Sequence, residues 1–295
     1  MRIILLTALC AVMSVSILAA EQDRLTVYTI NYPLQYFAQR IAGEHADVVF
    51  PASADVDPAF WQPSTEIIAD YQQADLILLN GAAYANWLNR VSLSRRKLVD
   101  TSAAFRDKYI HGNEGVTHSH GPDGDHSHTG TAFTTWLDFN QAAEQARAIA
   151  DAMTRKRPEL ETVFEHNVTA LEADLLALDK QLQSIVATRP DLPLLASHPV
   201  YQYFQRRYGL NLHSVMWEPE EVPSEVQWTE LERSLKEHPA RWMLWEAEPN
   251  PDSARRLRDL GVESMVFDPA GKRPNEGDFL SVMQHNVKNL QEVFN

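Results

Sequence analysis

The chain of 295 residues has a single cysteine, Cys10, and that scarcity is the first constraint. Cys10 falls inside the opening run MRIILLTALCAVMSVSILAA, with one basic residue, a long apolar stretch and small residues at Ala19 and Ala20. Residues 1–20 read as a secretory signal peptide cleaved after Ala20, because no stop-transfer flank follows. Leu9 is too large to precede the cysteine of a lipobox. Beyond the leader no disulfide and no thiolate site can form. No later stretch is apolar enough to span a bilayer. Basic clusters are lacking too, and the net charge of −14 excludes nucleic acid and anionic lipid as partners. Also missing are a His-Glu-x-x-His helix, a Gly-x-Ser-x-Gly elbow and a phosphate-cradling glycine loop, so a binding protein is expected and not an enzyme.

What is present is histidine. Residues 117–130 read THSHGPDGDHSHTG, with His118, His120, His126 and His128 on either side of a Gly-rich turn and His111 just upstream. In an extended chain residues i and i+2 point the same way, roughly 6.6 Å apart, so each His-x-His pair can present two nitrogens on one face. Neutral imidazole is a good ligand for zinc, copper and nickel. An isolated pair reads as a solvated loop; four histidines in eleven residues point to a metal.

Around this loop the pattern is α/β. LTVYTI (25–30), ADVVF (46–50), ADLILLN (74–80) and KLVD (97–100) read as buried strands, with Pro33 opening a helix that ends at Gly43 and Ser64 capping another. From about 140 the period changes: QAAEQARAIADAM is helical and breaks near Pro158. Beyond it, Phe164, Val168, Leu171, Leu175, Leu178, Leu182 and Ile185 recur at gaps of three and four, which makes a long helix with one apolar seam. After Pro190 the alternation resumes with LPLLAS (192–197), LHSVMW (212–217), RWMLWE (241–246) and VESMVFD (262–268). Ser224 and Gln227 form a capping box, and Gly209 and Gly261 stand at helix ends. The expected fold is two parallel-sheet α/β lobes joined by a long rigid linking helix. Residues 21–137 form the N-terminal lobe, with a His-rich loop at 111–130; 138–188 are linking helices and 189–295 the C-terminal lobe.

Ligands of open parallel sheets bind beyond the carboxyl ends of the strands. In the second lobe those ends carry His198, Glu218, Glu246 and Asp268. Any one of them could cap a helix or bond a loop amide. Four in succession beside a His-rich loop point to a divalent-cation site.

The chain resembles the periplasmic solute-binding proteins of zinc and manganese ABC transporters, ZnuA-like members of cluster A-I. The likeness runs through ADVDPAFWQPS, QADLILLNGAAYANWL, TTWLDFNQA, ASHPVYQYFQRRYGL, RWMLWEAEP and VFDPAG, and includes the acid- and His-rich loop before the linking helix. It implies an ion held by four side chains, two from each lobe. His198 matches the third ligand and Asp268 the fourth, and a histidine at 198 resembles the zinc members, hence Zn(II) ahead of Mn(II). The first ligand position holds Ala59, in Asp57-Pro58-Ala59, and the second holds Thr134. Three readings follow: His126 and His128 fold into the cleft; Glu246, Glu218 or His213 completes the site; or the cargo is a metal chelate lined by Trp61 and Trp136, residues that ordinary core packing explains better. The first is preferred, with Glu246 orienting or replacing a ligand. The implied protein is a monomeric, exported periplasmic carrier that captures Zn(II) and delivers it to an ABC permease. A periplasmic zinc buffer or chaperone, or a carrier for a metal chelate, is the alternative.

Overall fold

In a computed structural model, residues 24–54, 56–112, 117–119, 125–127 and 130–295 are described. Residues 1–23, which hold the expected signal peptide, lie outside them, as do His120 and His128.

Two four-stranded parallel sheets form the lobes. The first comprises β1 (Leu25–Thr29), β2 (Ala46–Val49), β3 (Leu76–Leu79) and β4 (Leu98–Asp100), in the order β2-β1-β3-β4. After two strands that lead into the loop, β5 (Thr117–Ser119) and β6 (Asp125–Ser127), the second sheet gathers β7 (Pro193–Ala196), β8 (Asn211–Ser214), β9 (Trp242–Trp245) and β10 (Glu263–Val266). Its order, β10-β9-β7-β8, repeats the first: each lobe places its first and third strands side by side at the centre. That is the point where strand order reverses and where the chain ends splay to leave a crevice. All eight lobe strands expected from the apolar runs are present, each one to two residues shorter at an end. The exception in degree is LHSVMW, whose strand stops at Ser214 while Trp217 continues by donating its amide to the Ser197 carbonyl at 2.7 Å.

Helix ends follow local chemistry. α1 (Tyr32–Ala42) is capped by Asn31, whose side chain accepts from the Leu34 amide, and α2 (Thr65–Gln73) by Ser64. α3 (Phe139–Lys156) begins at Asp138, which accepts from the amides of Asn140 and Gln141. Pro158 ends that run with a single 3-10 turn, and α4 (Glu161–Val186) doubles back along α3. The second lobe adds α5 (Gln202–Tyr208), ended by Gly209 at φ 70°, then α6 (Glu225–Glu237) with the Ser224–Gln227 capping box. α7 (Pro251–Asp259) and α8 (Phe279–Phe294) complete it.

The seam of α4 is buried from Phe164 to Ile185, and the helix packs on α1 and α3 of one lobe and on α5 and α8 of the other. One ion pair, with Asp179 buried and Arg207 half-buried, fastens it. Asp179 accepts from Arg207 at 2.9 and 2.7 Å and from the Tyr208 hydroxyl at 3.0 Å, and Arg207 also faces Asp138 at 3.6 Å. A guanidinium shared by α4, α5 and the cap of α3 fixes three elements by one charge, and its bidentate geometry tolerates little rotation. Asp179→Ala leaves that charge without its main partner, with an expected loss of about 3 kcal/mol of stability by urea denaturation; Asp179→Asn loses less.

Candidate metal centre

The crevice of the second lobe lies between the ends of β7 and β9, and each strand end supplies one of its polar groups. His198 follows β7 and is 5% exposed. Glu246 follows β9, with a carboxylate oxygen 3.9 Å from His198 Nδ1, and Glu218 reaches within 3.5 Å of Nε2 from the loop after β8. One imidazole therefore stands between two carboxylates, each addressing a different ring nitrogen. Asp268, beyond β10, turns one carboxylate oxygen to the Ala270 amide at 2.7 Å, and its own amide is held by the side chain of Asn286.

The first lobe answers the same crevice differently. The corresponding ends of β1 and β3 carry Asn31 and Asn80, bonded to each other at 3.2 Å and joined by Gln145 of α3. These amides carry no charge and satisfy one another, which leaves no donor set for a cation at that strand junction. Ala59 is buried, its amide given to Asp57, and Asp57 repeats the turn seen at Asp268: Asp-Pro-Ala with the first oxygen on the third amide, at 2.9 Å. Thr134 is buried too and donates across the lobe boundary to the Val200 carbonyl at 2.5 Å.

Carboxylates dominate the electrostatics. Glu246 keeps 24% of its side chain exposed, yet it sits at the cleft floor, where its carboxyl is raised from 4.5 to about 8, chiefly by burial. The charges of Glu218, Asp57, Asp268 and Glu220 supply the rest of that rise, so first-lobe Asp57 is felt across the cleft. Burial also lifts Asp268, against the Ala270 amide and Lys272, which lower it. Tyr84 is raised well above its usual range by burial and by Asp57. Crowded anions around a buried imidazole suit a cation, which would displace the proton and offset the repulsion. Among the described residues, however, no three His, Cys, Asp or Glu side chains are gathered closely enough to hold an ion as they stand.

The expected site residues thus divide. His198, Glu218 and Glu246 come together, with Asp268 within electrostatic reach. His118 and His126 are backbone partners in the antiparallel pairing of β5 with β6; His120 and His128 lie outside the described residues. His213, one of the alternatives for completing the site, packs instead beside His238 with ring centroids 5.8 Å apart. It sits on exposed β8, the edge strand, where alternation turns its side chain away from the crevice. Trp136 is a core residue, 1% exposed, and Trp61 packs on Trp87, so neither forms an open aromatic wall. Tyr84, which feels the charge of Asp57, carried no periodic signal; Asp57 was marked only as part of the Asp57-Pro58-Ala59 stretch.

A family described as the periplasmic component A of a zinc-uptake complex, ZnuA, matches residues 27–293. The chain belongs to this family. The zinc-binding lipoprotein AdcA of Streptococcus pneumoniae serotype 4 is 25% identical over 303 residues, covering 98% of this chain and 60% of AdcA. The chain thus spans about three fifths of that relative's length. The high-affinity zinc uptake system protein ZnuA of Bacillus subtilis is 25% identical over 290 residues, 92% of this chain and 88% of its own. The crystal structure of the metal-dependent lipoprotein YcdH from Bacillus subtilis superposes with a TM-score of 0.77 at 20% identity, covering 91% of this chain and 98% of that one, which shows the shared two-lobe fold.

Glu246 also predicts a pH dependence. Its folded value, about 8, lies above the ordinary 4.5, so the fold favours the protonated form. The stability it contributes is complete below about 4.5 and is lost as pH rises through about 8. Metal-free protein should lose stability across that window, and Glu246→Gln should flatten the slope and exceed the parent at the alkaline end by about 1 kcal/mol or more, read by urea denaturation at both ends.

Proposed function

We propose that the protein is exported and captures a divalent cation, Zn(II) ahead of Mn(II), for delivery to an ABC permease. The observation that carries this is the buried His198 between Glu218 and Glu246 at the crevice of the second lobe. His198 and Asp268 would be ligands, with Glu246 as a third carboxylate or the group that orients one. An imidazole with carboxylates is a borderline-to-hard donor set, which suits Zn(II) and admits Mn(II). The zinc-binding names of the relatives support the same cargo.

Residues 1–20 act as the signal peptide in this reading, the periplasm is the working compartment, and the carrier acts as a monomer between its lobes, 21–137 and 189–295. The histidines 118, 120, 126 and 128 form a capture loop. Support for it is the β5–β6 register, which pairs residues 118 and 126, and the separate antiparallel bridge between His111 and Thr131.

Calorimetric titration of zinc into metal-free protein tests the reading. His198→Ala should weaken the tight site by about a hundredfold or more, the order expected when a ligand is lost. A variant lacking residues 117–130 decides the loop: loss of the tight site makes the loop a source of ligands, and retention makes it an accessory that concentrates ions. No tight zinc site in the parent protein would sink the proposal. Binding should also weaken below about pH 6 as imidazole protonates.

A further inference from the structure

Residues 132–136, Ala-Phe-Thr-Thr-Trp, form a short strap between the lobes whose successive residues bond to opposite sides. Phe133 gives its carbonyl to Asn80 at 2.8 Å and its ring to Phe60 and Tyr84, all of the first lobe. Thr135 bonds Asn80 and Gln145, again in the first lobe. The residues between them reach the other way. The Ala132 carbonyl accepts from the Tyr203 hydroxyl at 2.9 Å, Thr134 donates to the Val200 carbonyl, and the Trp136 indole donates to the Pro269 carbonyl at 2.7 Å. The alternation is made by a bent segment and not by a strand: the Thr135 amide turns back to the Phe133 carbonyl at 2.8 Å, and a 3-10 turn follows over Thr135–Leu137.

The foot of the strap shows the same device. Ala132 donates to the Ile110 carbonyl at 2.8 Å, as one half of a paired rung. The other half is interrupted: the Ile110 amide donates to the Tyr203 hydroxyl at 3.2 Å, and that hydroxyl passes on to the Ala132 carbonyl. A side chain of α5 is thus wedged into a first-lobe ladder, and Arg206, stacked over the Tyr203 ring, reaches the Lys108 carbonyl at 2.6 Å.

Where these bonds land gives them a function. Val200 closes a tight turn on His198, its amide on the His198 carbonyl at 2.9 Å, and Pro269 is the residue after Asp268. The Tyr201 hydroxyl, on the Phe267 carbonyl at 2.7 Å, ties those two turns together. We propose that Thr134 and Trp136 are positioning residues for the cleft: from the first lobe they hold the His198 turn and the Asp268 turn, and so keep the lobes closed before an ion enters. This rests on the reading of the cleft as a cation site. The lobes are bridged by protein groups at Thr134, so an ion has no need to draw them together. The Tyr32 amide on the Gly271 carbonyl and Arg273 on Gln35 brace the far side of the same seam.

The test uses the full chain with Cys10→Ser, so that Ser94→Cys and Asp259→Cys, both at exposed positions on opposite lobes, carry the only two spin labels. Pulsed electron resonance on metal-free protein should give one narrow interlobe distance, unchanged by zinc. Thr134→Val, which keeps the shape and removes the hydroxyl, should broaden the metal-free distribution, more so with Trp136→Phe, and should weaken zinc binding by about tenfold. Thr134→Ser should restore both the distance and the affinity, which a loss of packing alone would not do. A broad metal-free distance in the parent that zinc narrows would overturn the proposal, as would a narrow distance that survives both substitutions. If the parent binds no zinc, the cargo reading fails, while the metal-free distances still decide whether the strap holds the lobes.

Discussion

One apolar seam supports everything else in this protein. Along α4, the face from Phe164 to Ile185 is closed to water, and helices of both lobes lie against it. Burying a face of that length stabilises by many kcal/mol at roughly 25 cal/mol per Å² of apolar surface. The lobes cannot part along it without exposing it. Shear or bending at a hinge would also break the Arg207–Asp179 pair, whose partners sit on different elements of the seam. The cleft is therefore framed by a spine that both lobes share, and the bonds of the strap at 132–136 cross between the lobes at its mouth.

Within that frame the two lobes make unequal contributions to one crevice. They share a topology, so the same strand junction opens in each. In the first lobe it is closed by neutral amides that satisfy each other; in the second it is left to an imidazole among carboxylates, one of which, Glu246, favours its protonated form. The first lobe instead supplies a field, through Asp57, and anchorage, through the strap at 132–136. Its chemistry supports a site that the other lobe largely provides.

Separate charges in close quarters are costly, and the elevated Glu246 records that cost. A cation that replaces its proton converts repulsion into attraction, which is why buried carboxylates and reversible capture belong together. Three groups within contact distance of one another are nevertheless absent among the described residues, so ligation requires small side-chain movement toward the ion. Such movement is inexpensive for glutamates at loop ends and expensive for a histidine fixed in a closed turn. In the proposed reading His198 would be the fixed reference of the site and the carboxylates its adjustable part.

The sequence by itself determined the elements and their order, because apolar runs, caps and prolines act within a few residues: eight lobe strands, the break at Pro158, the caps at Ser64 and Ser224 and the turn at Gly209 are all local matters. It also marked His198, Glu218, Glu246 and Asp268, since residues at strand ends converge in any parallel sheet. Only tertiary structure decided which of them meet, that His213 faces outward from an edge strand, and that Trp136 is core with its indole spent on Pro269. Thr134 shows the difference most clearly. In the sequence it is a ligand position without a ligand, but its hydrogen bond to Val200 spans 66 residues of chain, and no local pattern can announce a partner that distant.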